Sequence, residues 1–89
     1  MRESCLNCVL KHLAQAHVLF DEAELGYPMH KYYALGHMAE AESESIKEHS
    51  DLATAIRQER LKAQEGTSPD LEFLINTTHE IKENQHENI

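Results

Sequence analysis

CLNCVLKHLAQAHVLFDEAELGYP, residues 5–28, decides the fold. Within it Leu6, Val9, Leu10, Leu13, Ala16 and Phe20 recur at the spacing that lines one side of a helix. Ser4 precedes the run and suits an N-cap, because its hydroxyl accepts a bond from an orphan N–H of the first turn. Gly26-Tyr27-Pro28 closes it: glycine suits the left-handed position after a helix, and proline cannot continue the hydrogen-bond ladder. These signals predict a first helix over about residues 5–25.

Reading outward from that stretch, the chain from Pro28 to Gln64 has no further proline, and only Gly36 interrupts good helix formers. It predicts a second helix over about 28–64, with Leu35, Met38, Ala39, Ile46, Ala53 and Ile56 on one face and Leu52 at its edge. Such a helix is ~50 Å long at ~1.5 Å per residue, longer than the first, so it bends or offers its far half to another contact. The linker Glu65-Gly66-Thr67-Ser68 follows. Ser68 as N-cap, Pro69 as first helical residue and Asp70 in the first turn predict a third helix over about 69–83. Its face is Leu71, Leu74, Ile75, Thr78 and Ile81, and residues 84–89 read as a frayed polar tail. The expected fold is all-α, a single domain over residues 1–89. It is an antiparallel helical hairpin with a long second helix plus a short third helix, forming a small helical bundle.

Composition narrows the function. Three tyrosines, two phenylalanines and no tryptophan leave the core to aliphatic residues. The net charge of −8 argues against nucleic-acid backbones and anionic membrane surfaces, both of which need clustered Lys and Arg. No stretch approaches the ~20 apolar residues that span a bilayer. Met1-Arg2-Glu3-Ser4-Cys5 leads into no signal-peptide core, which predicts a cytoplasmic, reducing setting. There two cysteines are thiols or metal ligands sooner than a structural disulfide. At 89 residues a single core is marginal, and a long central helix with half a face uncovered favours a homo-oligomer, a dimer in the first place.

The chemically distinctive feature is Cys5, Cys8 and His12. At about 100° per residue they fall within a sector of about 60° on the first helix. Thiolate and neutral imidazole are ligands that zinc prefers, and a helix N-terminus favours the thiolate. Glu42 and His49 interrupt the apolar face of the second helix, where a carboxylate and an imidazole are costly without a partner. If Leu25 lies across from Met29, facing residue numbers sum to about 54, which sets Cys5 near His49, Cys8 near Ile46 and His12 near Glu42. The expected site is therefore zinc held by Cys5, Cys8, His12 and His49, with Glu42 as an alternative ligand or as the acceptor orienting His12. A closed set of four ligands is structural and not catalytic.

Other readings stand beside it. Cys5 and Cys8 at a helix N-terminus also form a redox dithiol, although no strand–helix–strand pattern precedes them. A metal-free helical core with free thiols is the plainest alternative. His37, Glu40 and Glu44, with Tyr33 and Asp51 nearby, form a second stripe, a minor alternative site for iron or zinc on a side expected to face solvent. The same register sets His37 level with His17. His30, His79 and His86 read as exposed.

The run CLNCVLKHLAQAHVLFDEAELGYPMHKYYALGHMAEAE resembles a family of short uncharacterised bacterial and phage proteins. Their Cys-x-x-Cys-x-x-Lys-His start, Gly-Tyr-Pro turn and Gly-His-x-Ala-Glu-Ala segment are similar to those here. The resemblance covers roughly the first half of the chain. It implies a helical fold and no activity, and it places Cys5, Cys8, His12, His37 and Glu40 inside the shared motif. The function expected from the sequence is a non-enzymatic, zinc-stabilised helical module for assembly or interaction.

Overall fold

The computed structural model describes residues 5–87, with side chains through Gln85. Ser4 and the His86 side chain lie outside the described residues. The fold is all-α, with no strand among the described residues. Its elements are α1 (Leu6–Glu24), α2 (His30–Ser45), α3 (Ser50–Gln64) and α4 (Leu71–Glu87). Helix α1 packs most extensively on α2, α2 on α3, α1 on α4 and, least, α3 on α4. The pairs α1–α3 and α2–α4 do not pack, so the four helices form a square. Lys82 near the end of α4 reaches Asn7 at the start of α1, and Asp70 before α4 reaches Glu59 late in α3. Each helix is thus antiparallel to its neighbours, in up-down-up-down order. No helix among the described residues is long and apolar enough to cross a membrane.

The small helical bundle is the fold expected, but the long second helix is two. The ladder stops at Ile46, and the backbone leaves the helical region at His49, the N-cap of α3. At the break the Ser45 hydroxyl donates to Ala41 O at 2.8 Å, and Ser45 O accepts from Glu48 and His49 N–H. Serine bonding back into its own helix competes with the ladder and bends it. Asp51 in the next first turn favours a fresh start, since a negative charge there opposes the positive helix end. No glycine or proline marks the break, so breaker residues do not announce it.

The two glycine turns follow the expected physics. After α1, Gly26 at φ 118 donates to Ala23 O and Tyr27 donates to Glu22 O. After α3, Gly66 at φ 98 donates to Ala63 O and Thr67 to Lys62 O. Both are Schellman caps, and each needs a left-handed residue that glycine supplies without steric cost. The start of α4 lies two residues beyond the expected one. Asp70, not Ser68, supplies the capping contact, its Oδ1 accepting from Phe73 N–H at 3.0 Å. Residues 84–87, expected to fray, continue the helix.

The core is Leu6, Val9, Leu13 and Ala16 of α1, Ala34, Met38 and Ala41 of α2, Leu52 and Ile56 of α3, and Leu71 and Leu74 of α4. Fully burying each of the larger side chains contributes roughly 1.5–3 kcal/mol. The faces expected for α1 and α4 are the ones buried. For the second helix the expected face holds at Met38 but not at Ala39 and Ile46 in its first half: Ile46 is 62% exposed and Ala39 is exposed, while Ala34, Ala41 and Ser45 join Met38 in facing inward. Small residues at three of those four positions let α2 lie close against α1.

Candidate functional site

The site begins with how α1 starts. Cys5 is its N-cap, in extended conformation, and its Sγ accepts from Cys8 N–H at 3.1 Å. A cysteine sulfur thereby does the work that Ser4 was expected to do. The Cys5 N–H has left the helix direction and donates to Glu44 Oε1 at 2.7 Å, in the last turn of α2. Lys47 Nζ holds the other Glu44 oxygen at 2.7 Å. The start of α1 is therefore tied to the end of α2 through a carboxylate whose charge Lys47 balances.

Cys5 and Cys8 are joined as a disulfide, with Cα atoms 5.1 Å apart. Spacing alone makes this possible: from an N-cap to the third helical residue the side chains meet over one turn, within the Cα separation a disulfide requires. Cys5 is half-buried and Cys8 is exposed.

One turn further, His12 Nδ1 lies 2.9 Å from His37 Nδ1 of α2, and the ring centroids are 5.2 Å apart. At this distance one nitrogen carries a hydrogen and donates while the other accepts. Both rings are half-buried. They border a shallow groove between α1 and α2, completed by Tyr32, Tyr33, Gly36 and Glu40.

The zinc reading is corrected here. Among the described residues, no three His, Cys, Asp or Glu side chains come together to hold a metal ion. The two sulfurs bond to each other. His12 meets His37. His49 sits at the break before α3, where its Nε2 is 3.2 Å from Gln85 Nε2 of α4. Glu42 accepts from Arg60 Nη2 at 2.9 Å. The physical reason is register. His12–His37 and Cys5–Glu44 both sum to 49, five short of the expected 54. The expected register pairs Leu25 with Met29, but these are 80% and 60% exposed, because the chain doubles back at the Schellman cap before either can pack.

The second stripe is divided as well. Glu44 serves Cys5 and Lys47, and His37 serves His12, leaving Glu40 on the groove rim. His17 pairs with Asp21, 3.5 Å away on its own helix, and not with His37. His79 is exposed as expected, but His30 is half-buried, its Nδ1 3.3 Å from Glu22 Oε1. What the sequence reading missed is the pairing of His12 with His37. Both residues were singled out, and only the register separated them.

These features define the described residues as an up-and-down four-helix bundle with a Cys-x-x-Cys disulfide at the mouth of its first helix. Compared with family models, with curated proteins and with solved structures, the chain matches none.

Proposed function

We propose that the protein is a thiol–disulfide redox module whose Cys5 and Cys8 cycle between disulfide and dithiol. The observation that carries this reading is the disulfide across the first turn of α1, with Cys5 Sγ already accepting the Cys8 N–H. A thiolate released at Cys5 keeps that hydrogen bond and sits at the positive end of the α1 dipole. Both effects favour the charged form, and a better-stabilised thiolate is the faster leaving group. Cys8 is the more exposed of the two residues, so the attack is assigned to its sulfur.

The reaction with a dithiol partner then balances. A partner thiolate attacks Cys8 Sγ, a partner–Cys8 disulfide forms, and Cys5 leaves as thiolate. The partner's second thiolate attacks its own sulfur in the mixed disulfide, and Cys8 leaves. The partner is oxidised to a disulfide and releases two protons, and Cys5 and Cys8 are reduced by two electrons and take up two protons. The reverse sequence oxidises the module. The scaffold supports such a cycle because the sulfurs lie at one end of the bundle, and of the core only Leu6 lies between them, while Leu13, Met38, Ile56 and Leu74 are contributed by other turns.

Equilibration in glutathione mixtures, followed by acid quench, alkylation and mass spectrometry, tests the reading. The expected result is reversible interconversion of the two states with an unchanged helical circular-dichroism spectrum. Exchange with a small dithiol should also be faster than for a synthetic peptide of residues 1–12, which has the cysteines without the bundle. Equal rates, or reduction only on unfolding, would overturn it.

A further inference from the structure

Resting on the redox reading, we propose that His12 is the proton acceptor and donor for the Cys8 thiol, and that His37 is the positioning residue that makes it so. Cys5 has its own device, the N-cap hydrogen bond. Cys8 has none of that kind: its N–H is spent on Cys5, and its sulfur is one turn into the helix. Yet forming the mixed disulfide from the reduced protein requires a thiolate at Cys8, and its final departure in the opposite direction creates one.

His12 is placed for both events. It follows Cys8 by four residues, so the two side chains are neighbours on one side of α1, with Cβ atoms about 5–6 Å apart. Helical side chains lean toward the N-terminus, so Cys8 lies on the side of α1 toward which a side chain at position 12 leans. His37 fixes which ring nitrogen is available. The 2.9 Å contact occupies Nδ1 of His12, and Nε2 is the nitrogen left for exchange. With His12 donating Nδ1–H to His37 Nδ1, Nε2 carries a lone pair and accepts the Cys8 proton. The resulting imidazolium keeps its bond to neutral His37, whose own proton is then on Nε2. No net proton is lost: the thiol S–H bond breaks, an Nε2–H bond forms, and the reverse transfer returns the proton when Cys8 leaves.

The groups around the pair are compatible with a transient positive charge. Glu40, Tyr32 and Tyr33 of α2 share its groove. Glu44 at the adjacent turn of α2 is balanced by Lys47. From α4, the Lys82 ammonium is held by Asn7 Oδ1 at 2.7 Å.

The test uses the full chain carrying Cys5→Ser, in which serine preserves the cap and Cys8 is the only thiol. Its alkylation by iodoacetamide is followed from pH 5 to 9, with and without His12→Gln or His37→Phe. A free cysteine is a few per cent thiolate at pH 7. Pairing raises that roughly twenty- to thirtyfold, and the lower nucleophilicity of a stabilised thiolate takes back about six- to eightfold, for a net gain of about three- to fivefold. The expected result is a rate that levels off near neutral pH with the histidines intact. In His12→Gln it should be about three- to fivefold lower at pH 7 and still climbing at pH 9, with His37→Phe between the two. Superimposable profiles would overturn the proposal while leaving the redox reading intact, since reversible exchange of the wild-type disulfide is measured separately. Should His12→Gln fail to fold, nitrogen NMR of the wild-type rings decides. On reduction at pH 7 the His12 Nε2 resonance should move toward the imidazolium position, and an unmoved resonance would reject the role.

Discussion

Reducing the Cys5–Cys8 disulfide should lower the melting temperature but leave the bundle folded. The bond closes a loop with a sequence separation of 3. A loop that short removes little freedom from the unfolded chain, about 2 kcal/mol at 25 °C on the chain-entropy scale. The N-cap bond from Cys8 N–H to Cys5 Sγ needs no disulfide and persists with a thiol or thiolate. None of the largest fully buried side chains, Leu13, Met38, Leu52, Ile56 and Leu74 among them, belongs to the loop. A domain of 89 residues has a net stability of roughly 4–13 kcal/mol, so the remainder stays positive. At roughly 4–8 °C per kcal/mol the melting point falls by about 8–16 °C. Thermal melts by circular dichroism, with and without a phosphine reductant, measure this, and the Cys5→Ser, Cys8→Ser double variant should melt with the reduced protein. Unfolding of the reduced chain at 25 °C would refute the reasoning by making the bond a structural staple. A double variant as stable as the oxidised wild type would refute it by showing that the two sulfurs contribute no constraint.

Other perturbations test the fold. Gly36→Ala should stabilise the protein by about 0.5–1 kcal/mol, since the residue lies within α2 and a Cβ there meets nothing within 4 Å. Gly66→Ala should destabilise it by about 1–2 kcal/mol, because φ 98 suits no L side chain; urea unfolding that returned the same sign for both would reject the placing of Gly36 in a helix and Gly66 in a left-handed turn. Leu13→Ala removes a fully buried side chain and should cost about 3–5 kcal/mol in the same assay, with a cost below 1 kcal/mol ruling out this core. Glu44→Ala leaves the Cys5 N–H and Lys47 without their shared acceptor and should cost about 1 kcal/mol, with faster amide hydrogen exchange at Cys5. Unchanged exchange there would show that α1 and α2 are not tied at this point.

How much of this was legible from residue order depends on what each residue type can announce. The start and end of α1 and the end of α3 carry glycine and apolar-spacing signals, and those signals act locally. The break at residues 46–49 carries none. It depends on a buried serine hydroxyl turning back onto Ala41 O, a choice made only once the Ser45 side of α2 is packed. Missing the break had a further consequence. A face drawn continuously from Leu35 to Ile56 merges two helices with different phases, so Ile46 was placed on the apolar face and Ser45 was not. The face of α3, with Ala53 and Ile56 buried, survived because it lies wholly on one side of the break.

The zinc reading failed for a related reason. A Cys-x-x-Cys pair whose side chains converge enough to share a metal also converges enough to bond sulfur to sulfur. What decides between the two outcomes is whether further ligands stand across the gap. That is a question of register, and the register was assumed from the turn. A shift of five residues moves His49 away from Cys5 and Glu42 away from His12, and brings Glu44 and His37 into their places. Glu44 meets a backbone N–H instead of a metal, and His37 meets His12 nitrogen to nitrogen. The same inventory of side chains therefore changes from a ligand set into a disulfide, a capping carboxylate and a histidine pair. The disulfide and the histidine pair are the two parts that thiol and proton chemistry can use, while Glu44 ties α1 to α2; this is the physical basis for proposing thiol chemistry in place of a metal staple.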